Sequence, residues 1–337
     1  MHPQAKPYLW LCLVLLLVSA AFAPASAGKT PPAHPTLTVG CKAGPGNYAT
    51  IQSAVDNAGG GYTIQICAGT YKENVNINDA TKHLPAPLDT LDGLRIEAAD
   101  GTKLKCPTKW VGSGFDLHAH GVSIKNIVVE DCGVAISVEF GFGGERFSQD
   151  SLHDNGIAIA FNGGVGNSSV INCEIFSNSG DGVFDFQSVL PNFYFSNEVE
   201  NNGGNGIEIS SGFFASAFVF NNDLNHNSQN GIYINNADGL EIKWNTAENN
   251  GNDGIYINGQ DEFAIVEAND ADRNQNIGIE ASSSSANNVF LENRMENNVA
   301  FDASDHSTSN SWTTNPVTGN NDNRCHNFTA AAFCQSN

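Results

Sequence analysis

Hydrophobic and polar residues alternate in short runs along most of the chain. Around Tyr233, Ile232 and Ile234 are apolar, so in an extended strand both isoleucines point to one face and the tyrosine to the other. Asn and Gly interrupt such runs every few residues, and both tolerate the positive φ of tight turns. This period of two predicts short β-strands separated by turns, and it disfavours amphipathic helices.

The alternating runs recur about every 24 residues, and each follows a glycine. Successive glycines lie 23, 26, 24, 25, 23 and 24 positions apart. They are Gly133, Gly156, Gly182, Gly206, Gly231, Gly254 and Gly278. This spacing indicates a solenoid, because one coil cannot bury its own apolar face and must stack on the next.

A second series of amide residues begins with Asn126 and Gln149 and runs in phase with the glycines, 7 to 10 positions ahead of them. We predict that its later members stack as a structural ladder, in which each side-chain amide bonds its neighbours and the turn backbone. The residues assigned to this ladder are Asn172, Asn197, Asn222, Asn245, Asn269 and Asn293.

Together the two series predict an all-β chain, a parallel β-helix in which equivalent strands pair about 4.8 Å apart. Between residues 37 and 310 there is room for roughly eleven coils. Residues 50–58 carry apolar side chains at helical spacing behind Thr50, which predicts a short helix capping the N-terminal end. We expect the β-helix and this cap to occupy residues 28–319, followed by a disulfide-tied cap at residues 320–337.

The N-terminal residues have the pattern of a signal peptide. Lys6 precedes an apolar run at residues 9–18, and small residues at 25–27 form a cleavage site. The run is too short to span a bilayer, and no second one follows. We therefore predict that residues 1–27 are removed and that the protein is secreted, either to the extracellular space or to the periplasm.

Charge and cysteine content narrow the classes of partner. The formal net charge of −21 disfavours binding to nucleic acid and to anionic membranes. Export allows disulfides, and proximity suggests Cys41–Cys67 and Cys325–Cys334, with Cys106–Cys132 as a further pair and Cys173 left as a buried thiol. Metal-ligand and calcium-loop spacings are absent, so we expect no cofactor; Ca²⁺ has acidic side chains available but no motif. We expect a monomer.

Two segments carry a family resemblance. Residues 48–58 (YATIQSAVDNA) and 67–75 (CAGTYKENV) resemble the N-terminal coil of pectin methylesterases in the pectin lyase-like superfamily. The repeats over residues 120–300 are similar to those of secreted bacterial parallel β-helix proteins. The resemblance implies a right-handed, single-stranded parallel β-helix and action on polysaccharides. The catalytic motifs of pectin methylesterases, polygalacturonases and mannuronan epimerases are missing, so no catalytic residue is carried over.

Candidate catalytic groups gather around Asp185, which interrupts a column of inward isoleucines. A buried carboxylate would be costly and its pKa shifted, which is a mark of function. Asp154, Asp181 and His153 fall one coil away or beside it, enough for a general acid and a general base. The alternative, which we favour, is a bulge in the longest repeat that turns Asp185 outward.

Rings and carboxylates share the outward repeat position. Phe184, Glu208, Tyr233 and Tyr256 occupy it, with Glu280 further along, and this stripe suits stacking on sugars and bonding their hydroxyls. Between residues 150 and 320 the basic side chains are Lys243, Arg273 and Arg294, too few for a lyase acting on uronates.

The sequence therefore predicts an extracellular carbohydrate-active protein that binds a polysaccharide along the β-helix. Whether it is an enzyme stays open. If it cleaves the chain, hydrolysis by carboxylates fits the residues better than lyase chemistry. The alternative is a non-catalytic secreted or cell-surface rod with a binding or structural role.

Overall fold

Strand follows strand through most of the chain. The computed structural model describes residues 35–41, 46–79, 90–210, 216–313 and 325–326. The predicted signal peptide and most of the predicted cap at residues 320–337 lie outside the described residues. Within them one helix, Ile51–Asn57, accompanies 30 strands, so the chain is all-β as the repeat predicted.

The strands form three parallel sheets, here called sheets A, B and C. In spatial order, the 13 strands of sheet A are Asn47–Tyr48, Thr36–Val39, Thr63–Ile66, Arg95–Ala98, Ser123–Lys125, Arg146–Ser148, Ser169–Ile171, Asn192–Phe195, Ala217–Phe220, Glu241–Lys243, Ile265–Glu267, Val289–Leu291 and Ser311–Thr313. The 6 strands of sheet B are Thr70–Lys72, Lys103–Lys105, Val128–Glu130, Ser151–His153, Glu174–Phe176 and Glu198–Glu200. The 11 strands of sheet C are Val75–Asn78, Ser113–His118, Val134–Val138, Ile157–Asn162, Val183–Phe186, Ile207–Ser210, Ile232–Asn235, Ile255–Asn258, Ile277–Ala281, Phe301–Asp305 and Cys325–His326.

The chain visits the sheets in turn, so each strand pairs with its equivalent one coil away. In sheet C, for example, Ile232 pairs with Ile207 on one side and with Ile255 on the other. All three isoleucines are fully buried, because the alternation places them on the inner face. Parallel pairing of consecutive coils confirms the predicted β-helix of about eleven turns.

A short helix covers the N-terminal end, as predicted. Thr50 is its N-cap, and the side chain of Thr50 accepts a hydrogen bond from the Ser53 backbone N–H. Ile51, Ala54 and Val55 form the buried face of the helix. Glu73 accepts hydrogen bonds from the backbone N–H groups of Ile51 and Gln52 at 2.8 and 2.9 Å. Its negative charge therefore lies at the N-terminal end of the helix, where the helix dipole favours it.

An asparagine ladder lies at the turn between sheets A and B. Asn245 shows the pattern: its Oδ1 accepts from the backbone and side-chain nitrogens of Asn222, while its Nδ2 donates to the Val219 carbonyl and to Asn269 Oδ1. These bonds are 2.8–3.0 Å long. Buried members of this column are Asn197, Asn222, Asn245, Asn269 and Asn293.

Asn172, which we assigned to the ladder, does not belong to it. The ladder position in that coil is held by Cys173, whose backbone N–H donates to Asn197 Oδ1 at 3.0 Å. Asn172 is the residue before it, with a left-handed φ of 53°. Trp244 and Ala268 take the same left-handed position in later coils, so it makes no demand for an amide side chain.

A second asparagine ladder, which we did not predict, lies at the turn between sheets B and C. Asn178, for example, donates to Asn202 Oδ1 and to the Leu152 carbonyl. Its members are Asn155, Asn178, Asn202, Asn227, Asn250, Asn274 and Asn298. Their spacing of 23 to 25 residues was a signal present in the sequence.

Two of the predicted disulfides, Cys41–Cys67 and Cys106–Cys132, join strands of the N-terminal coils. The predicted Cys325–Cys334 bond lies outside the side chains that the structure describes. Cys173 is buried and free, and burial raises the pKa of its thiol, so it is an unreactive group. No helix among the described residues has the length and apolar character needed to cross a membrane.

Candidate functional site

Asp185 points into the core of the coil, so the outward bulge that we favoured is wrong. The residue is 1% exposed, whereas Phe184 and Phe186 on either side face outward. Three side chains donate to its carboxylate: Ser188, Asn192 at 3.0 Å and Tyr194 at 2.6 Å. Burial raises the pKa of Asp185, and these three hydrogen bonds oppose the shift.

The long glycine spacing before Asp185 does not follow the pairing of the strands. Ile159 pairs with Val183, so the residue equivalent to Gly156 is Gly180 and not Gly182. Asp185 therefore follows Phe161 in the inward column and precedes Ile209. The aromatic neighbours Phe161 and Tyr194 are in edge contact with ring centroids 6.4 Å apart, which places the carboxylate within a local aromatic and polar core.

His153 and Asp154 lie elsewhere, at the C-terminal end of the strand Ser151–His153 in the middle of sheet B. Asp154 Oδ2 is 2.8 Å from His153 Nδ1, and Glu130 lies 3.5 Å from Nε2 on the other side of the ring. Phe176 stacks on the imidazole with a centroid distance of 4.8 Å. Lys105 pairs with Glu130 at 2.8 Å, so this cluster is a chain of ion pairs linking neighbouring coils.

Asp181 lies at the turn that leads into sheet C. Its Oδ1 accepts from the Asn205 backbone N–H at 2.6 Å. Asn205 in turn donates from Nδ2 to Glu208 at 2.8 Å. Burial raises the pKa of Asp181 to about 6, and the charge of Glu208 adds to the shift. The four predicted catalytic residues thus have three separate sets of partners. Asp185 is bonded in the core, Asp181 at the turn into sheet C, and His153 and Asp154 on sheet B.

The predicted outward stripe forms a continuous column on sheet C. Phe184, Glu208, Tyr233, Tyr256 and Glu280 are paired in register from one coil to the next. Each is partly exposed, which places aromatic rings and carboxylates together on the outer face. We call this column with its hydrogen-bonding neighbours the sheet C face.

A second outward position on the same strands holds the column in place. The Tyr256 hydroxyl donates to Asn258 Oδ1 at 3.2 Å, and Asn258 Nδ2 donates to the Tyr233 hydroxyl at 2.9 Å. The two tyrosine rings lie 5.7 Å apart at 53° to one another. At Glu208, Ser210 donates at 2.7 Å. The rings and the carboxylate therefore have fixed orientations before any ligand arrives.

A pair of carboxyl groups lies at the far end of the sheet C face. Asp253 lies beside Glu280, and Glu280 Oε1 is 3.4 Å from His306 Nε2. Burial, followed by the charge of Glu280, raises the pKa of Asp253 to about 7. Burial also raises the pKa of Tyr256 to about 12, with Glu280 contributing. Asp253 is therefore a weaker acid than an exposed carboxyl group.

A match to a known family accompanies this geometry. The family model described as a right handed β-helix region matches residues 155–322. The fold is a right-handed parallel β-helix. A search of the curated proteins gives no match.

Solved structures share this β-helix at low sequence identity. The mannuronan C-5 epimerase AlgE4 A-module of Azotobacter vinelandii is 14% identical, with a TM-score of 0.54 over 76% of this chain and 76% of its own. Pectate lyase Pel9A is 15% identical, with a TM-score of 0.60 over 86% and 83%. ORF18 of Geobacillus virus E2 is 13% identical, with a TM-score of 0.61 over 92% and 63%.

Two acidic groups on the β-helix have ligand atoms close enough for a metal ion. One is Glu130 with His153 and Asp154, and the other is Glu248 with Asp270 and Asp272. The first contacts Lys105, and the second contacts Arg294, which reaches Asp272 Oδ2 at 2.6 Å. Because basic side chains already neutralise both groups, their geometry fits ion-pair networks better than cation sites.

A groove of about 450 Å³ runs along the turn between sheets A and B and is lined by Asn126, Gln149, Asp150, Asn172 and Glu174, among others. Its lining includes no aromatic ring. The sheet C face, with its fixed rings and carboxylates, is the better candidate for a ligand.

Asp253 and Asn258 were not among the residues predicted from the sequence. Asp253 continues the edge series of Asp181, Asn205 and Asn230, spaced 24, 25 and 23 residues apart, so the period could have found it. Asn258 follows Tyr256 by two positions, where the alternation of a strand also points outward.

Proposed function

We propose that the sheet C face binds a polysaccharide chain. The observation that carries the proposal is the register of the outward column, where Tyr233 and Tyr256 stand between Glu208 and Glu280. Aromatic rings offer apolar surface for the flat faces of sugars, and carboxylate and amide groups offer hydrogen-bond partners for sugar hydroxyls. The column repeats with the coils, which suits a ligand that is itself a chain of repeating units.

Pre-organisation of the two tyrosines supports this role. Asn258 bonds both hydroxyls, so the rings lose little conformational freedom when a ligand stacks on them. The half-buried setting of the rings also limits their rotation. A bare row of mobile side chains would bind more weakly for the same contact area.

The structural neighbours support the same class of ligand. Two of them are named as a mannuronan C-5 epimerase and a pectate lyase, which act on polysaccharides. They share the β-helix with this chain at 14% and 15% identity. This likeness supports a polysaccharide as the class of ligand, and the particular polysaccharide has to be inferred from the residues of the sheet C face.

The contacts favour binding over cleavage. Glycoside hydrolysis uses two carboxyl groups about 5–9.5 Å apart on either side of the scissile bond. Asp253 and Glu280 instead interact directly with each other, and the charge of Glu280 helps to raise the pKa of Asp253. Asp185 is enclosed in the core, out of reach of a chain on the sheet C face. A secreted binding rod is therefore the form of the proposal that the residues support best.

The test is affinity for a panel of soluble plant, algal and bacterial polysaccharides, measured by affinity electrophoresis, with released reducing ends and absorbance of unsaturated products followed in parallel. Tyr233→Ala and Tyr256→Ala should each weaken binding roughly tenfold, from the loss of one stacked ring. Trp244→Ala is the matched control, because Trp244 is an exposed aromatic residue outside the sheet C face. Equal weakening by all three variants, or by none, would reject this face as the binding site. Released sugar ends would show that the protein cleaves what it binds.

A further inference from the structure

The sheet C face carries negative charge, and its strands hold no Lys or Arg to balance it. None of the 11 strands of sheet C, all of them within the described ranges, contains Lys or Arg. Strands of the other two sheets do, among them Arg95, Lys103, Lys105, Lys125, Arg146 and Lys243. The negative charge is therefore a property of this face and not only the average of an acidic chain.

The acids of this face are also outside the ion pairs that Lys and Arg form. In the part of the chain that the structure describes, those pairs involve acids such as Glu130, Glu267 and Asp272. Glu208 is bonded by Asn205 and Ser210, which are neutral. Glu280 contacts Asp253 and, at 3.4 Å, His306.

The negative groups surround the tyrosines. Glu208 and Glu280 lie one coil beyond Tyr233 and Tyr256 in opposite directions, so three coil steps separate the two glutamates, about 14 Å. A cation between them would meet carboxylate oxygens and the electron-rich faces of aromatic rings. Both kinds of contact favour ammonium groups.

We propose that the polysaccharide bound on the sheet C face carries protonated amino groups, as a polymer of 2-amino sugars does. This inference rests on the proposed function, because it names the ligand class for the same face. A uronate polymer would bring carboxylates against Glu208 and Glu280, where the strands of sheet C offer no Lys or Arg. A fully N-acetylated polymer would keep the ring contacts but lose the attraction between opposite charges.

The raised pKa values of Asp181 and Asp253, two acids at the turns that lead into sheet C, agree with a positively charged ligand. Burial and the charge of Glu208 raise the pKa of Asp181 to about 6, and burial and the charge of Glu280 raise that of Asp253 to about 7. When a positive group binds among negative groups, it reduces the repulsion between them. Ligand ammonium groups should therefore lower both pKa values and release protons on binding.

The experiment compares three sets of oligomers of equal length: fully deacetylated chitosan, its N-acetylated counterpart and polygalacturonate. Affinity for the full chain is measured by calorimetry near neutral pH at low and at high NaCl. The deacetylated oligomer should bind about tenfold more tightly than the acetylated one, from several ammonium contacts of modest strength. Salt should narrow that difference, because it screens exposed charges.

Charge variants locate the effect. Glu208→Gln and Glu280→Gln preserve the shape of each side chain and should bring the affinities of the two chitosan forms together. Glu174→Gln removes an exposed acid from sheet B and should leave the difference unchanged. Equal binding of both forms by the wild-type protein, or tighter binding of polygalacturonate, would overturn the amino-sugar inference and leave polysaccharide binding intact. Binding of none of the oligomers, nor of any member of the wider panel, would reject both.

Discussion

The turn between sheets A and B presents one hydrogen-bonding position in coil after coil, and the two halves of the chain fill it differently. From Asn197 onward the position holds asparagine. Earlier coils place Ile127, Asp150 and Cys173 there, linked by the Ile127 N–H to Asp150 Oδ1 bond at 3.1 Å and the Cys173 N–H to Asn197 Oδ1 bond at 3.0 Å. The same backbone is thus built with a complete ladder in one half and an incomplete one in the other.

The difference shows what the position requires. Every coil offers a buried backbone N–H that needs an acceptor and a buried carbonyl that needs a donor. Asparagine satisfies both with one side chain: Asn197 Oδ1 accepts from the Cys173 N–H, and Asn197 Nδ2 donates to the Val170 carbonyl. An ionised Asp150 supplies only the acceptor, and its Oδ2 is buried with no hydrogen-bond partner. Substitutions in each half therefore have opposite expected signs.

The largest effect is expected in the complete half. Asn245→Leu removes the acceptor of the Asn222 N–H and side-chain amide and the donor to the Val219 carbonyl, all of them buried. We expect a loss of about 3 kcal/mol in the free energy of unfolding, from several unsatisfied polar groups. Urea denaturation measures it.

The control for that variant is Asn172→Leu, at the left-handed position before the ladder residue. Since Trp244 occupies that position in another coil, leucine should cost no more than about 1–2 kcal/mol. A loss as large as that of Asn245→Leu would mean that Asn172 belongs to the ladder after all.

A comparable test applies to Asp185, in the coil where the complete half begins. Asp185→Leu leaves the Tyr194 hydroxyl, Asn192 Nδ2 and Ser188 hydroxyl without this acceptor. The expected loss is about 2–3 kcal/mol, measured by thermal and urea unfolding. Unchanged stability, together with altered polysaccharide binding, would show that the carboxylate serves the ligand and not the core. Phe186→Leu, at the exposed neighbouring position, is the control.

In the incomplete half, Asp150→Asn should stabilise the protein at high pH. Burial raises the pKa of Asp150 well above the unfolded value of about 3.9, so the folded state binds a proton that the unfolded state does not. Its contribution is fully present below the unfolded pKa and is lost as pH rises through the folded pKa. Asparagine removes that dependence.

The Asp150→Asn variant should gain about 1–2 kcal/mol at high pH and nothing in acid. Unfolding by urea across the pH range measures the gain, with Glu174→Gln as the control because the Glu174 side chain is exposed. A gain that is the same at low and high pH would show that folding does not shift the pKa of Asp150.

These positions also show how far the sequence could be read. Strand alternation and the 24-residue period depend on local rules, so the β-helix, the capping helix and the outward column at Tyr233 and Tyr256 could be predicted. The ladder was off by one residue at Asn172, because an amide tolerates a left-handed φ as readily as it fills a ladder. The spacing marks a turn without saying which of its two residues faces inward.

The grouping of Asp154, Asp181 and Asp185 could not be predicted, since it depends on where each residue falls around the coil. The 26-residue spacing from Gly156 to Gly182 does not follow the strand register, and only the pairing of Ile159 with Val183, 24 residues apart, reveals it. The inward direction of Asp185 follows from Ser188, Asn192 and Tyr194, which supply donors that a local pattern does not contain. These donors stabilise the Asp185 carboxylate in an inward column that otherwise holds apolar side chains.

The smallest effect is expected at Cys173, the last position before the complete half. Its thiol lies 3.5 Å from the Ile171 carbonyl, a weak contact compared with the amide bonds of the following coil. Cys173→Asn places an amide between Asp150 and Asn197 and should gain about 1 kcal/mol, the net value of a buried hydrogen bond. Combined with Asp150→Asn, it extends the ladder by two coils. Because the two residues are direct neighbours, the gain of the double variant should exceed the sum of the two single gains. A double-mutant cycle in urea measures that coupling, with Cys173→Ser as the variant of similar size. Destabilisation by asparagine alone, with serine neutral, would show that the earlier coils are too tightly packed to hold an amide, and that the ladder ends at Asn197 for reasons of space.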